Sequence, residues 1–491
     1  MFRRLIFEQA PSLPSAPGRA DVALFVGLCT PRPDAWAGTP TGQPVRIDSW
    51  GEFERRFAWD SRLLASDGQQ TVAGATYLGA AVRSFFVQGG RRCYVVCAAP
   101  PGPLTLPYAD RLALVEQLLP GFASGMPDFS PVEPESWRGA WWLWDLADVS
   151  FLCLPDLPDL LRNEPEPATL PAVPPPLVAE QFVECSVVEA PPAEDFRARQ
   201  LRAPRCDETG YRDWARAVRM LGLFLRAYRP DVQLVAALPM PADRRNGLIR
   251  LLDEGPAAPL RYAPDQSATG IASAWVQLAY PWLRTSAAGR LPEGLESPDG
   301  VLAGLLARNA LTSGTFRSAV RQPLVDVAET VPALSSEELY SHSDQRRRPL
   351  IERVSLFGSD AGRIGLLADV TADQEESYRP AGVNRLVALL VREVRRIGAE
   401  VVFEPSGEAA WARLRGQIEA LLRALYSLGA LNGTNEAAAF QVRCDRSTMS
   451  QNDLDNGRLV CVVGITPAAP IEQIRIVLTL NQSGLLALSP A

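Results

Sequence analysis

The chain has 491 residues, about three times the length of a usual single domain, so two or three domains around a large core are expected. Its 49 basic and 56 acidic residues give a net charge of −7, every basic residue is an arginine, and His342 is the single histidine. This excludes a Walker-type phosphate loop, a Schiff-base lysine and a two-histidine metal site, confines any histidine-dependent triad to His342, and argues against nucleic-acid binding by bulk charge.

In chain order, the first apolar stretch is Leu5-Ile6-Phe7, cut off at Glu8 and Gln9, too short for a secretory signal. No run reaches the length of a membrane span. Eight cysteines scattered through a long chain fit reduced thiols in a cytoplasmic protein. Leu5 to Phe7 reads as a lone strand on a tether containing Pro11, Pro14, Pro17 and Gly18; such a strand must pair with something outside itself.

From Asp21 the run Val22 to Gly27 predicts a buried strand, followed by a short helix after Asp48-Ser49, a helix over Tyr77 to Val87, and a strand over Cys93 to Ala98. This order predicts an α/β layer. Residues 99–135 and 155–205 are rich in proline and poor in periodicity, and read as surface excursions or an inserted subdomain. Between them lie the tryptophan-dense Trp137 to Trp144 and a strand at Val149 to Leu154. A helix over Tyr211 to Tyr228, a strand over Val232 to Leu238 and a helix over Pro298 to Ala310 continue the pattern.

Towards the C-terminus, a helix from Val383 to Ile397 is expected to stop at Gly398 and feed a strand at Glu400 to Phe403. Ser406 then caps a second helix, with Trp411, Leu414, Ile418, Leu421, Leu422 and Leu425 on one side and Gly429 as its stop. Strands follow at Ala439 to Cys444, Arg458 to Ile465 and Ile471 to Leu480. The last of these alternates Ile474, Ile476, Leu478 and Leu480 against polar neighbours.

No local constellation makes an enzyme. Asp453 to Gly457 has a calcium-loop flavour, but Gly464 stands where the closing glutamate is needed, so a turn between strands is expected. Cys93 and Cys97 read as core thiols, His342 and the adjacent Arg346 to Arg348 as a solvated segment, and the tryptophans as a core closure. A hydrolase built on His342 is a distant alternative.

Several stretches, in this order, resemble the tail sheath proteins of contractile phage tails and contractile injection systems. They are Asp21 to Gly27, Pro44 to Phe57, Phe85 to Val96, Tyr280 to Leu283, Ser297 to Gly304, Val401 to Trp411, Leu428 to Gly433, Ala439 to Asp445, Asp455 to Leu459 and Val463 to Glu472. The resemblance covers roughly residues 21–98 and 270–480; the family's Pro-Gly-Val-Tyr opening is missing.

It implies a mixed α/β multidomain sheath fold: an arm and linker at 1–20, an outer domain at 21–365 with poorly matched excursions at 99–230, an inner domain at 366–470, and a C-terminal arm at 471–491. The inner domain is completed by strand exchange between subunits, assigned to Leu5, Ile6, Phe7, Ile474, Ile476, Leu478 and Leu480, with hinges at Pro11 to Gly18 and Thr466 to Pro470. The implied function is structural: hexameric rings stacked around an inner tube, contracting to drive the tube through a target membrane. A sheath-like cap, baseplate or adaptor subunit is the alternative. Implied partners are further copies of the chain, the inner tube protein, baseplate and cap proteins, and sheath paralogues. No cofactor, metal, catalytic residue, nucleic acid or direct membrane insertion is implied. Assembly is expected in the cytoplasm, before incorporation into a particle.

Overall fold

The computed structural model describes residues 18–33, 40–64, 72–163, 197–242, 271–340, 349–360, 362–401, 407–455, 458–469, 474–480 and 486–490. Its centre is an eight-stranded sheet, in the spatial order Arg363–Leu366, Ser355–Asp360, Val276–Tyr280, Gln233–Ala237, Val149–Cys153, Val22–Leu28, Cys93–Ala99, Pro44–Ile47. The six inner strands run parallel and the two outermost antiparallel to their neighbours. Every residue of Val22–Leu28, Val149–Cys153 and Gln233–Ala237 is buried, as expected for parallel strands covered on both faces.

Helices Tyr77–Val87 and Asp299–Thr312 cover the sheet and cross each other closely. The contact depends on glycine, because a Cβ at Gly300 would lie 2.5 Å from the Cα and carbonyl oxygen of Ala81, and one at Gly304 would lie 2.6 Å from the carbonyl oxygen of Phe85. Thr76 caps the first helix by accepting from the Gly79 N–H at 3.1 Å, and Asp207 caps helix Glu208–Tyr228 by accepting from Thr209 and Gly210. Both satisfy N–H groups that a helix start leaves open.

The stretches 99–135 and 155–163 depart from expectation. A helix at Tyr108–Leu118 sends Val115 and Leu118 into the main core, and Leu157 and Leu160 are buried beside it. These are structural layers of the body, hidden in the sequence because the helix follows Pro107 without a side-chain cap. The tryptophan segment closes a core as anticipated: Trp141 is fully buried, its ring 4.4 Å from Phe224, and its indole N–H donates to Pro120. Cys93 and Cys97 are buried core thiols.

A second core gathers residues from Val383 to Ile476. Its long helix, Ala381–Val401, runs through Gly398 and into the expected strand. One glycine in a helix costs only about 1 kcal/mol, so Gly398 by itself does not end it. The next helix is Glu408–Ser427, preceded by Gly407 as its cap and not by Ser406, which lies outside the described residues with the rest of 402–406. Gly429 takes φ 75° just past its end, the left-handed stop that glycine favours. Residues Gln451–Asp455 form a short helix where a simple turn was expected.

Candidate functional site

The two helices pack on a four-stranded antiparallel sheet, ordered Phe440–Arg443, Leu459–Ile465, Ile474–Leu480, Leu486–Pro490. In Leu459–Ile465, Cys461, Val463 and Ile465 turn inward while the intervening residues are half-buried, the period of two that fixes register. The outer strands, Phe440–Arg443 and Leu486–Pro490, each have one strand neighbour among the described residues. Such edges leave rows of main-chain N–H and C=O groups able to pair with another chain.

Of the residues assigned to strand exchange, Leu5, Ile6 and Phe7 lie outside the described residues. Ile474, Ile476, Leu478 and Leu480 come together on one strand, flanked on both sides by strands of the same chain: Ile476 sits opposite Val463 and Pro490, and Leu478 opposite Cys461 and Leu488. The expected hinge residues Thr466 to Ala469 stay close to this sheet, with Thr466 N–H donating to the Ala439 carbonyl and Ala468 N–H to that of Ala430.

The long helix also carries a stripe of positive charge: Arg385, Arg392 and Arg395 join this unit to the main body. Arg385 grips Asp369 through two bonds of 2.9 and 2.7 Å and donates to the Thr315 carbonyl at 2.9 Å. Arg392 donates to the carbonyls of Val149 and Asp231 and to Ser150 Oγ, each at 2.8 Å. Arg395 reaches Asp231 Oδ1 at 2.7 Å, and Arg229 holds the same carboxylate at 3.0 and 2.9 Å. Burial alone would raise the Asp231 carboxyl, but the three guanidinium groups hold it well below the usual carboxylate range. Asp369 is likewise lowered, burial being outweighed by Arg385 and by the N–H groups of Ala319 and Gln277.

The same helix fixes the root of the N-terminal segment. Gly18 N–H donates to Glu393 Oε1 at 2.8 Å, and Arg392 donates to the Arg19 carbonyl at 2.8 Å. The chain therefore leaves towards residue 17 from the C-terminal unit's own helix.

Parallel α/β sheets place ligands where the strand order reverses, here between Val22–Leu28 and Val149–Cys153. The chain fills that crevice itself. Asp156, fully buried, accepts from Leu28 N–H at 2.7 Å and from Tyr77 and Leu78 N–H at 3.1 and 3.3 Å, taking the anion position at a helix start. Behind it Asp159 bridges Arg62 and Arg162 at 2.8 and 2.7 Å. His342 lies outside the described residues, among which no group of three or more metal-ligating side chains and no membrane-length apolar helix occurs.

No protein-family model and no curated protein matches the chain. Solved structures do. A chain of the anti-feeding prophage baseplate in its contracted state aligns with TM-score 0.58 and 19% identity over 96% of this chain and 95% of that one. The contracted helical sheath of the same prophage gives 0.54 and 18% over 96% of both chains. A sheath tail protein from Listeria innocua gives 0.51 and 12% over 96% of this chain and 97% of that one. With nearly the whole length of each partner matched, the chain has the mixed α/β, multidomain fold of the tail sheath proteins of contractile injection systems.

Proposed function

We propose that the protein is a structural subunit of a contractile sheath, polymerising as stacked hexameric rings around an inner tube and contracting to drive that tube through a target membrane. The observation that carries this is the end-to-end likeness to sheath chains solved in the contracted state, together with a crevice that the chain plugs with its own Asp156. Its partners are then other copies of itself, the tube protein, and baseplate and cap proteins, with assembly in the cytoplasm before incorporation into the particle.

Within that reading the division is an arm at 1–20, an outer domain at 21–365, an inner domain at 366–470 and an arm at 471–491. Leu5, Ile6 and Phe7 add to an open edge of a neighbour's four-stranded sheet. Ile474 to Leu480 supply the ladder, made within the chain here and by the identical element of a neighbour in the polymer, as in domain swapping. Main-chain pairing of this kind survives reorientation of the bodies while the linkers bend. Deleting residues 1–10 tests it: the variant is expected to stay folded by circular dichroism and to lose polymerisation, whereas loss of the fold would place the segment in its own core.

A second reading, a fixed-ring baseplate or adaptor subunit on the same fold, is favoured by the likeness to chains of baseplate structures. A small closed ring in place of an open polymer would distinguish it.

A further inference from the structure

Cys444 directly follows the outer strand Phe440–Arg443, and Cys461 lies in the neighbouring Leu459–Ile465. The antiparallel register pairs Arg443 with Val462, so the next rung sets Cys444 across from Cys461. Directly opposed residues of antiparallel strands hold their Cα atoms about 4.5–5.5 Å apart, inside the roughly 4.4–6.8 Å that a disulfide spans. Both side chains belong to the second core and both thiols are free. The neighbouring thiol lowers Cys444 and, together with burial, raises Cys461. Cys444, at the end of the outer strand beside exposed Asp445, is the thiol an oxidant meets first, and as the thiolate it is the nucleophile.

We propose that Cys444 and Cys461 are a modification site, a vicinal dithiol across two strands that a small-molecule disulfide converts to an intrachain bond. The Cys444 thiolate attacks one sulfur of the oxidant, forming a mixed disulfide and releasing one equivalent of small thiol. Cys461, giving up its proton, then attacks the Cys444 sulfur and releases the second equivalent. Two protein thiols are oxidised and one small disulfide is reduced to two thiols, so electrons and protons balance.

Cys444 is 2% exposed, and its access comes from its place in the sheet. It ends a strand with one strand neighbour, next to exposed Asp445 and Arg446, and such ends open locally at low cost. Cys29 and Cys97 also meet, Cys97 Sγ donating to the Cys29 carbonyl, but on and just past two inner parallel strands of the eight-stranded sheet, Cys93–Ala99 and Val22–Leu28, with both fully buried. The new bond would fasten the outer strand to its neighbour and close the loop from Asp445 to Val460. Its bearing on assembly rests on the sheath reading; the chemistry does not.

The test uses the full reduced chain, incubated without denaturant with oxidised glutathione, alkylated and mapped under non-reducing conditions by mass spectrometry. The expected result is a linked pair of peptides carrying Cys444 and Cys461, two hydrogens lighter than their sum, restored by dithiothreitol and absent from Cys444→Ala. A stable glutathione adduct on Cys444 without the link, a link from Cys444 to another cysteine, or both thiols unmodified until urea is added would each overturn it. Polymerisation is not the readout, so failure of the sheath reading leaves this test intact.

Discussion

Arg385 and Asp369 face each other through two bonds of 2.9 and 2.7 Å, one residue on the long C-terminal helix and the other on the segment between strand Arg363–Leu366 and that helix, both almost wholly removed from water. Asp369 also takes N–H bonds from Ala319 and Gln277, so its carboxylate is the node on which three segments meet. Breaking such a pair leaves a buried charge without its partner, at a cost of about 3–5 kcal/mol. Arg385→Met is expected to lower stability by that amount in urea titrations, and Arg385→Lys by less, because lysine keeps a charge opposite Asp369 while losing only the two-pronged geometry.

Asp231 answers three arginines at once. Replacing it by Ala leaves Arg229, Arg392 and Arg395 facing one another, and a loss of about 3–5 kcal/mol is expected. Because Arg392 and Arg395 belong to the C-terminal helix, the loss should appear as separation of the two cores: hydrogen exchange should quicken along 381–401 while the amides of Val22–Leu28 stay protected. Uniform loss of protection would mean that Asp231 supports the body alone.

Two other buried carboxylates set the opposite pH dependence. Burial pushes Glu296 up to about 8 and Asp299 to about 6, with only partial relief from the hydroxyls of Ser84 and Ser297, which donate at 2.7 Å. A folded value raised above the unfolded one, near about 4, contributes stability that is complete below that unfolded value and fades as pH rises through 6 and 8. Asp231 and Asp369, held low, contribute stability that is kept above about pH 4 and lost as pH falls. Urea midpoints should therefore decline on both sides of a mildly acidic maximum. Glu296→Gln should flatten the alkaline limb between pH 5 and 9 by on the order of 3 kcal/mol. An unchanged limb would refute the assignment to Glu296.

Much of this architecture was legible in the chain, and the limits have physical causes. Helix Tyr77–Val87 appears at its expected bounds, and the stripe Trp411 to Leu425 is buried as its spacing predicts, since periodicity is a local property. Gly398 reads as a stop but does not act as one, since a single glycine costs a helix only about 1 kcal/mol. Asp231 and Arg392 are 161 residues apart, and among 49 arginines and 56 carboxylates no pattern picks out that pair. Arg385, Arg392 and Arg395 do recur on one side of a predicted helix next to its apolar stripe, and that spacing was the available signal. The Cys444–Cys461 pairing needed the strand register, which the sequence alone leaves open.

The crossing of helices Tyr77–Val87 and Asp299–Thr312 makes a further demand. Gly304→Ala sets a methyl group against the carbonyl oxygen of Phe85 and its Cα, at 2.6 and 2.8 Å, and backbone on a packed helix has little room to yield. The expected cost is about 1–3 kcal/mol, read as a lower midpoint in urea. Gly416→Ala, on an open helix face with nothing within 4 Å of the new methyl, should be neutral or stabilising by up to about 1 kcal/mol.

The central claim is that function resides in lattice contacts between copies of this chain. Electron microscopy of the protein, purified alone and together with the proposed tube and baseplate proteins, tests it most directly. Hollow helical tubes built of stacked rings are the expected result. Monodisperse monomer persisting at high concentration in both preparations would contradict it.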